Sequence, residues 1–270
     1  MKIKLGPAGV PTVSKEHSTL AGIQTVKELG LQAMEVEFVR GVKMSNQLAK
    51  QAGELSRKLG IELSVHAPYY VNLCNPEKLK ASQKRIIESC EKGHHMGATV
   101  VVFHPGYYGK LEKEEALERV TEACREMADV IKEQNWKVKL GPETTGKVSQ
   151  FGTVDEILSI CKAVKQCVPV LDWAHLFAKY QGKVDFRQIL DKVISAGYRK
   201  IHTHFSCIEF TEKGERRHLP LDTKKPDYSN ILRIILKSRL DEITMISESP
   251  ALEQDALKLK KMLEKEGYKF

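Results

Sequence analysis

The chain has 270 residues, 41% hydrophobic and 29% charged, with 18 Gly and 10 Pro. That is too long for a disulfide-stapled miniprotein and too apolar and varied for a disordered or fibrous chain. Its 43 Lys and Arg outweigh 35 Asp and Glu, leaving a formal charge of +8. The excess favours encounter with anions without naming one, since runs such as Leu257-Lys258-Leu259-Lys260-Lys261 are most simply a solvated helix face.

In chain order the pattern reads strand Ile3–Gly6, helix Lys15–Leu29, strand Ala33–Phe38, helix Ser45–Leu59, strand Ile61–His66 and helix Pro76–Met96. It continues with strand Thr99–His104, helix Glu114–Gln134, strand Val138–Glu143, helix Val154–Val164, strand Val168–Asp172 and helix Asp185–Ala196. Strand Lys200–Phe205, helix Tyr228–Ser238, strand Ile243–Glu248 and helix Ala251–Glu266 complete eight strand–helix units. Strict alternation implies a parallel sheet, because each crossover must return the chain to the same end. Eight units in this length predict an α/β fold of the (β/α)8 TIM-barrel kind, one domain spanning 1–270 with no internal linker. An open doubly wound sheet is the rival, but the turn Gly6-Pro7-Ala8-Gly9-Val10 lacks the following GxxG and no helix starts directly after it.

No apolar run reaches the ~18 residues that a membrane span needs, and the first residues have the pattern of a strand instead of a secretory leader. Cys74, Cys90, Cys124, Cys161, Cys167 and Cys207 form no CxxC pair. These features predict a cytoplasmic protein with reduced thiols and no membrane partner, and argue against a Cys-rich structural zinc.

In a (β/α)8 barrel, functional groups gather at the C-terminal ends of the strands. Here strands three to eight end Val65-His66-Ala67-Pro68, Phe103-His104-Pro105-Gly106, Pro142-Glu143-Thr144, Leu171-Asp172-Trp173-Ala174-His175, His202-Thr203-His204-Phe205 and Ser247-Glu248-Ser249-Pro250. Each delivers a histidine or a carboxylate where an apolar run stops. His17, His94 and His95 fall in helical segments and read as surface. Packing so many ionisable groups into one mouth costs several kcal/mol in desolvation and like-charge repulsion unless counter-charges are present. Divalent cations supply them, and imidazole with carboxylate suits zinc, manganese or iron. More ligands stand at the strand ends than one catalytic ion takes, so two or three ions sharing a bridging carboxylate are expected.

The ordered set 66–73, 103–106, 142–145, 171–175, 202–206, His218 and 247–250 resembles endonuclease IV, the zinc-dependent apurinic/apyrimidinic endonuclease family of the xylose-isomerase-like barrels. The resemblance runs over essentially the whole chain. It implies a DNA-repair hydrolase that cuts duplex DNA 5′ to abasic sites, with a metal-bridging hydroxide as nucleophile. It also implies His66, His104 and Glu143 around one zinc, with Glu143 bridging to a second ion held by Asp172, a strand-seven histidine and Glu248; Glu143 and Glu248 are the catalytic carboxylates of this reading. His175 and His218 are implied for a third ion, and manganese is an alternative metal. The family places an Asp two residues before the last histidine, where this chain has Arg216, so Glu215 substitutes only if the loop shifts by one residue. His202 and His204 share a face by period two; His202 is slightly favoured as the direct ligand, and the choice stays open. Arg40, Tyr69 and, more weakly, Asn72 are implied as DNA contacts that help extrude the damaged nucleotide. A monomer is the default. The alternative is a metal-dependent sugar isomerase or epimerase of the same superfamily, needing only Glu143, Asp172, a strand-seven histidine and Glu248.

Overall fold

The computed structural model describes residues 1–270. Eight parallel strands close on themselves: β1 (Lys2–Pro7), β2 (Ala33–Glu37), β3 (Glu62–His66), β4 (Val100–Phe103), β5 (Lys139–Pro142), β6 (Val170–Asp172), β7 (Lys200–Phe205) and β10 (Glu242–Ser247). They form two four-stranded halves, β2-β3-β4-β5 and β1-β10-β7-β6. Shorter pairings join them. At one seam Gly9 N donates to Glu35 O and Gln32 N to Leu5 O, both at 2.9 Å. At the other, Thr144 N donates to Val170 O at 3.0 Å and Val168 N to Leu140 O at 2.8 Å. Closure excludes the open sheet.

The first seam depends on a missing side chain. A Cβ on Gly6 would lie 1.7 Å from the carbonyl oxygen of Ala33, so only glycine lets β1 and β2 approach this closely. At the N-terminal end of the barrel, Lys4 sits between Glu62 and Glu242, a plug of compensated charge at the mouth opposite the site.

Outside the barrel pack α1 (Thr19–Glu28), α2 (Asn46–Leu59), α3 (Pro76–Met96), α4 (Lys113–Glu133), α5 (Val154–Ala163), α7 (Phe186–Ser195), α8 (Tyr228–Leu236) and α9 (Leu252–Lys265). Helix α1 starts later than its hydrophobic period suggests because the Ser18 side chain caps it, accepting from Ala21 N. α2 and α3 end at Gly60 and Gly97 in the left-handed region, the usual stop for a helix. No helix is long and apolar enough to cross a membrane, and all six cysteines are free and buried.

Two insertions depart from simple alternation, and both lie at the C-terminal mouth. The seven-residue helix α6 (Trp173–Lys179) follows β6 directly, capped by Asp172, whose Oδ1 accepts from His175 N at 2.6 Å. The antiparallel hairpin of β8 (Cys207–Thr211) and β9 (Gly214–Leu219) follows β7. The strand–helix alternation in the sequence does not include either: Trp173–His175 read as the end of strand six, and the hairpin interrupts the β7–α8 connection.

Candidate metal centre

Most of the groups named from the strand ends converge at the C-terminal mouth. His66 and Asp172 end β3 and β6, while His104, Glu143 and Glu248 stand one residue beyond β4, β5 and β10. Glu143 is fully buried in the middle. Its carboxylate lies 3.5 Å from His66 Nε2, 2.9 Å from His104 Nε2, 3.4 Å from His175 Nδ1 and 3.0 Å from His204 Nδ1.

The ligand atoms fall into four compact groups, each with donors within 4.8 Å of one another: three at the mouth, His66, His104 and Glu143; Glu143, Asp172, His204 and Glu248; His175, His218 and Glu248; and one deeper, Glu35, His202 and His204. Glu143 belongs to two groups and Glu248 to two. The register of the sheet decides between the strand-seven histidines. Asp172 pairs with His204, and His202 pairs two residues lower with Val170. The slight preference for His202 is therefore corrected to His204 for the Glu143–Asp172–Glu248 group; His202 Nε2 instead meets Glu35 at 3.0 Å.

Whether these residues fit cations can be judged from their unused atoms. His66 Nε2, His104 Nε2, Glu143 Oε2, Asp172 Oδ2 and His175 Nε2 are buried and make no hydrogen bond. Buried polar atoms are nearly always satisfied, so a converging set of orphaned ones marks a site for something else. The imidazoles are also oriented for it. His66 Nδ1 is held by Ala67 O at 2.8 Å, His175 Nδ1 by Thr144 O at 3.0 Å and His218 Nδ1 by Ser206 Oγ at 2.6 Å. Anchoring one ring nitrogen outside leaves the other facing in, the arrangement that metal-binding histidines have. The donor set fits zinc or a similar divalent ion.

The third group answers the question raised by Arg216. In the hairpin, Glu209 pairs with Arg217 and Phe210 with Glu215, so Arg216 is an extra residue, a β-bulge. In a regular strand, residues three apart face opposite sides. The bulge removes one from that count, so Glu215 and His218 face the mouth together. Glu215 then lies 3.5 Å from His175 Nε2 and 3.7 Å from His218 Nε2. Arg216 and Arg217 point outward, both paired with Glu209 at 2.6 Å.

Strand two adds what the sequence reading passed over. Glu35 is fully buried against His202, His204 and Ser64. Glu37 lines the cavity with a buried, unpartnered Oε1. Their i, i+2 spacing at the end of a strand was the available signal. Burial opposes protonation of His66, but the Glu143, Glu37 and Glu35 carboxylates around it carry it up to about 10. His175 and His204 are likewise pushed well above the usual range, against burial, by Asp172 and Glu215 and by Glu248 and Glu35 respectively. Burial together with the Glu143 and Asp172 carboxylates pushes Glu248 well up, and burial raises Glu37 to about 7.

A cavity of about 590 Å³ opens over the centre, lined by Tyr69, His104, Tyr107, Lys147, His175 and Glu248 among others. Tyr69 is 56% exposed at its edge, with its ring 5.6 Å from that of His66. Arg40 is exposed, next to the cavity-lining Val39. Asn72 is not among the cavity-lining residues; its Oδ1 accepts from Cys74 N at 3.1 Å and Tyr107 N at 3.2 Å, bracing two loops together. Lys147, not foreseen, is a cation among the lining residues, and the loop bearing it is held from below by Lys179 Nζ, bonded to Thr145 Oγ1, Lys147 O and Gln150 O.

A family model described as a xylose isomerase-like TIM barrel matches residues 23–266. An uncharacterized protein of Methanocaldococcus jannaschii is 38% identical over 266 residues, 95% of either chain. A probable endonuclease 4 of Acholeplasma laidlawii is 30% identical over 216 residues, 74% of this chain and 72% of its own. Among solved structures, endonuclease IV from Thermus thermophilus aligns with a TM-score of 0.75 at 20% identity, over 96% of this chain and 99% of that one. A D-tagatose 3-epimerase-like protein aligns with a TM-score of 0.73, also at 20% identity, over 98% and 96%. Nuclease and epimerase neighbours thus share this barrel about equally, and on the match that runs through nearly all of it the chain belongs to the xylose isomerase-like TIM barrel family.

Proposed function

We propose that the protein is a metal-dependent phosphodiesterase that cuts duplex DNA 5′ to abasic sites, using two or three zinc ions. The observation that carries this reading is the number of ligand groups: three adjoining ones, linked through Glu143 and Glu248. A sugar isomerase needs only the Glu143–Asp172–His204–Glu248 group and has no use for His66, His104, His175 and His218. Charge agrees. With its imidazoles neutral, the centre holds the carboxylates Glu35, Glu37, Glu143, Asp172, Glu215 and Glu248, a burden that one divalent ion leaves largely uncompensated. The probable endonuclease 4 relatives support the same chemistry.

In this reading His66, His104 and Glu143 hold one ion, Glu143, Asp172, His204 and Glu248 a second, and His175 and His218 a third, with Glu248 shared from the second and Glu215 beside them. Bound there, such ions supply an activated water and stabilise the oxygens of the phosphoryl group. The protein supplies position. Glu143 joins the first two groups, so their spacing is set by one rigid carboxylate at the end of β5. Lys147 meets a phosphate at the cavity wall, Tyr69 packs against the exposed sugar, and Arg40 enters the groove beside it. An abasic nucleotide leaves the stack cheaply because it has no base to unstack.

Zinc-loaded protein is expected to incise a duplex bearing a single abasic site, and chelator-stripped protein is not. No incision by the loaded form, with turnover of a keto-sugar in the presence of manganese, would replace this reading with the isomerase one.

A further inference from the structure

His204 differs from the other inward-facing histidines in what holds its outer nitrogen. His66, His175 and His218 are anchored by neutral groups: the carbonyls of Ala67 and Thr144 and the hydroxyl of Ser206. The outer nitrogen of His204, Nε2, instead faces a carboxylate, lying 2.9 Å from Glu35 Oε1 as an ion-pair contact without the alignment of a hydrogen bond. Glu35 is itself fixed at its other oxygen, which accepts from Ser64 Oγ at 2.7 Å and meets His202 Nε2 at 3.0 Å. All four side chains are buried, so water screens none of these contacts.

We propose that Glu35 is a positioning residue for the metal centre, holding His204 so that Nδ1 presents its lone pair to the Glu143–Asp172–Glu248 group, with His202 and Ser64 serving to hold Glu35. An ionised carboxylate close behind an imidazole raises the basicity of the ring and makes its other nitrogen a stronger donor. This gives strand two a share in the centre and gives His202 a place two residues below the ligands. The inference rests on the reading of these groups as metal sites but not on the substrate.

The test is metal binding by the full chain, independent of incision. In Glu35→Gln, which keeps the shape and removes the charge, one ion of the complement should pass to a competing chelator about 10- to 100-fold more readily, while the remaining ions hold as in the parent. With cobalt as the probe metal, the visible absorption of that one site should shift in Glu35→Gln. His202→Gln, which still donates to Glu35, and Ser64→Ala should both move affinity and spectrum in the same direction as Glu35→Gln but less, with every ion retained. Melting followed by circular dichroism identifies any variant that fails to fold; Ser64→Ala then carries the test. Parental affinity and spectrum in Glu35→Gln would overturn the proposal. So would loss of the ion in His202→Gln, which would make His202 the ligand, or a further ion that Glu35→Gln abolishes, which would make Glu35, His202 and His204 a cation site of their own. Failure to cut abasic DNA bears on the proposed function alone.

Discussion

Deleting Arg216 should leave the third ligand group intact, whereas inserting one alanine between Arg217 and His218 should destroy it. The two changes alter chain length by the same amount and differ only in what they do to side-chain phase. In the native hairpin, Glu209–Arg217 and Phe210–Glu215 are paired with Arg216 bulged between them. Deletion preserves both pairings and converts Glu-x-x-His with a bulge into Glu-x-His without one, and residues two apart share a face. The energetic change is small. Arg216 is 66% exposed in its pair with Glu209, where solvent screens the attraction; the straightened ladder adds a backbone hydrogen bond of about 1 kcal/mol. Insertion instead turns His218 to the outer face, removing an imidazole whose Nε2 lies 3.7 Å from Glu215 and 4.0 Å from Glu248. That should weaken the third ion by more than the about 10- to 100-fold that loss of an outer-shell partner costs. The assay is metal content per chain after gel filtration, with incision of an abasic duplex and melting followed in parallel. A deletion variant that melts like the parent yet loses an ion, or an insertion variant that keeps it, would refute the argument from phase.

Glu143→Gln should abolish incision while changing duplex affinity by less than about 3-fold, because it alters the carboxylate shared by two ligand groups and leaves the basic surface alone; equilibrium binding and single-turnover cleavage on one substrate check this. Chelator-stripped protein should lose stability as pH rises from the ordinary histidine range to about 10, since His66 is raised to about 10 in the folded state. Between those limits the folded chain binds more protons than the unfolded one, so each such histidine lowers stability by up to about 1.4 kcal/mol per pH unit. Zinc-loaded protein, whose histidines are already neutral, should show no such slope in thermal melts. Gly6→Ala should destabilise by about 3 kcal/mol or more, or prevent folding, because its Cβ would meet Ala33 O at 1.7 Å; a denaturation midpoint equal to the parent's would contradict the tight seam.

Periodicity along the chain determined the barrel. Alternation of apolar residues at two and at 3.6 is a local property, so eight strand–helix units and the chemistry at the strand ends could be read directly, from His66 in β3 to Glu248 just past β10. The helix α6, a two-turn segment starting directly at the end of a strand, and the β8–β9 hairpin, whose second strand GERRHL carries no apolar alternation, could not. Relations between strands belong to the tertiary structure, because register depends on partners distant in sequence. Pairing of Asp172 with His204 brought His204 into the group with Glu143 and Glu248 and set His202 two residues below. Closure between β1 and β2 brought Glu35 behind it. The bulge at Arg216 turned an unpromising Glu-x-x-His into a pair facing one way. Asn72, plausible by position, was placed between two loops whose backbone amides occupy its oxygen. The sequence by itself determined which groups reach the mouth of the barrel; the fold decided which of them face one another, since facing is set by register and closure across the sheet.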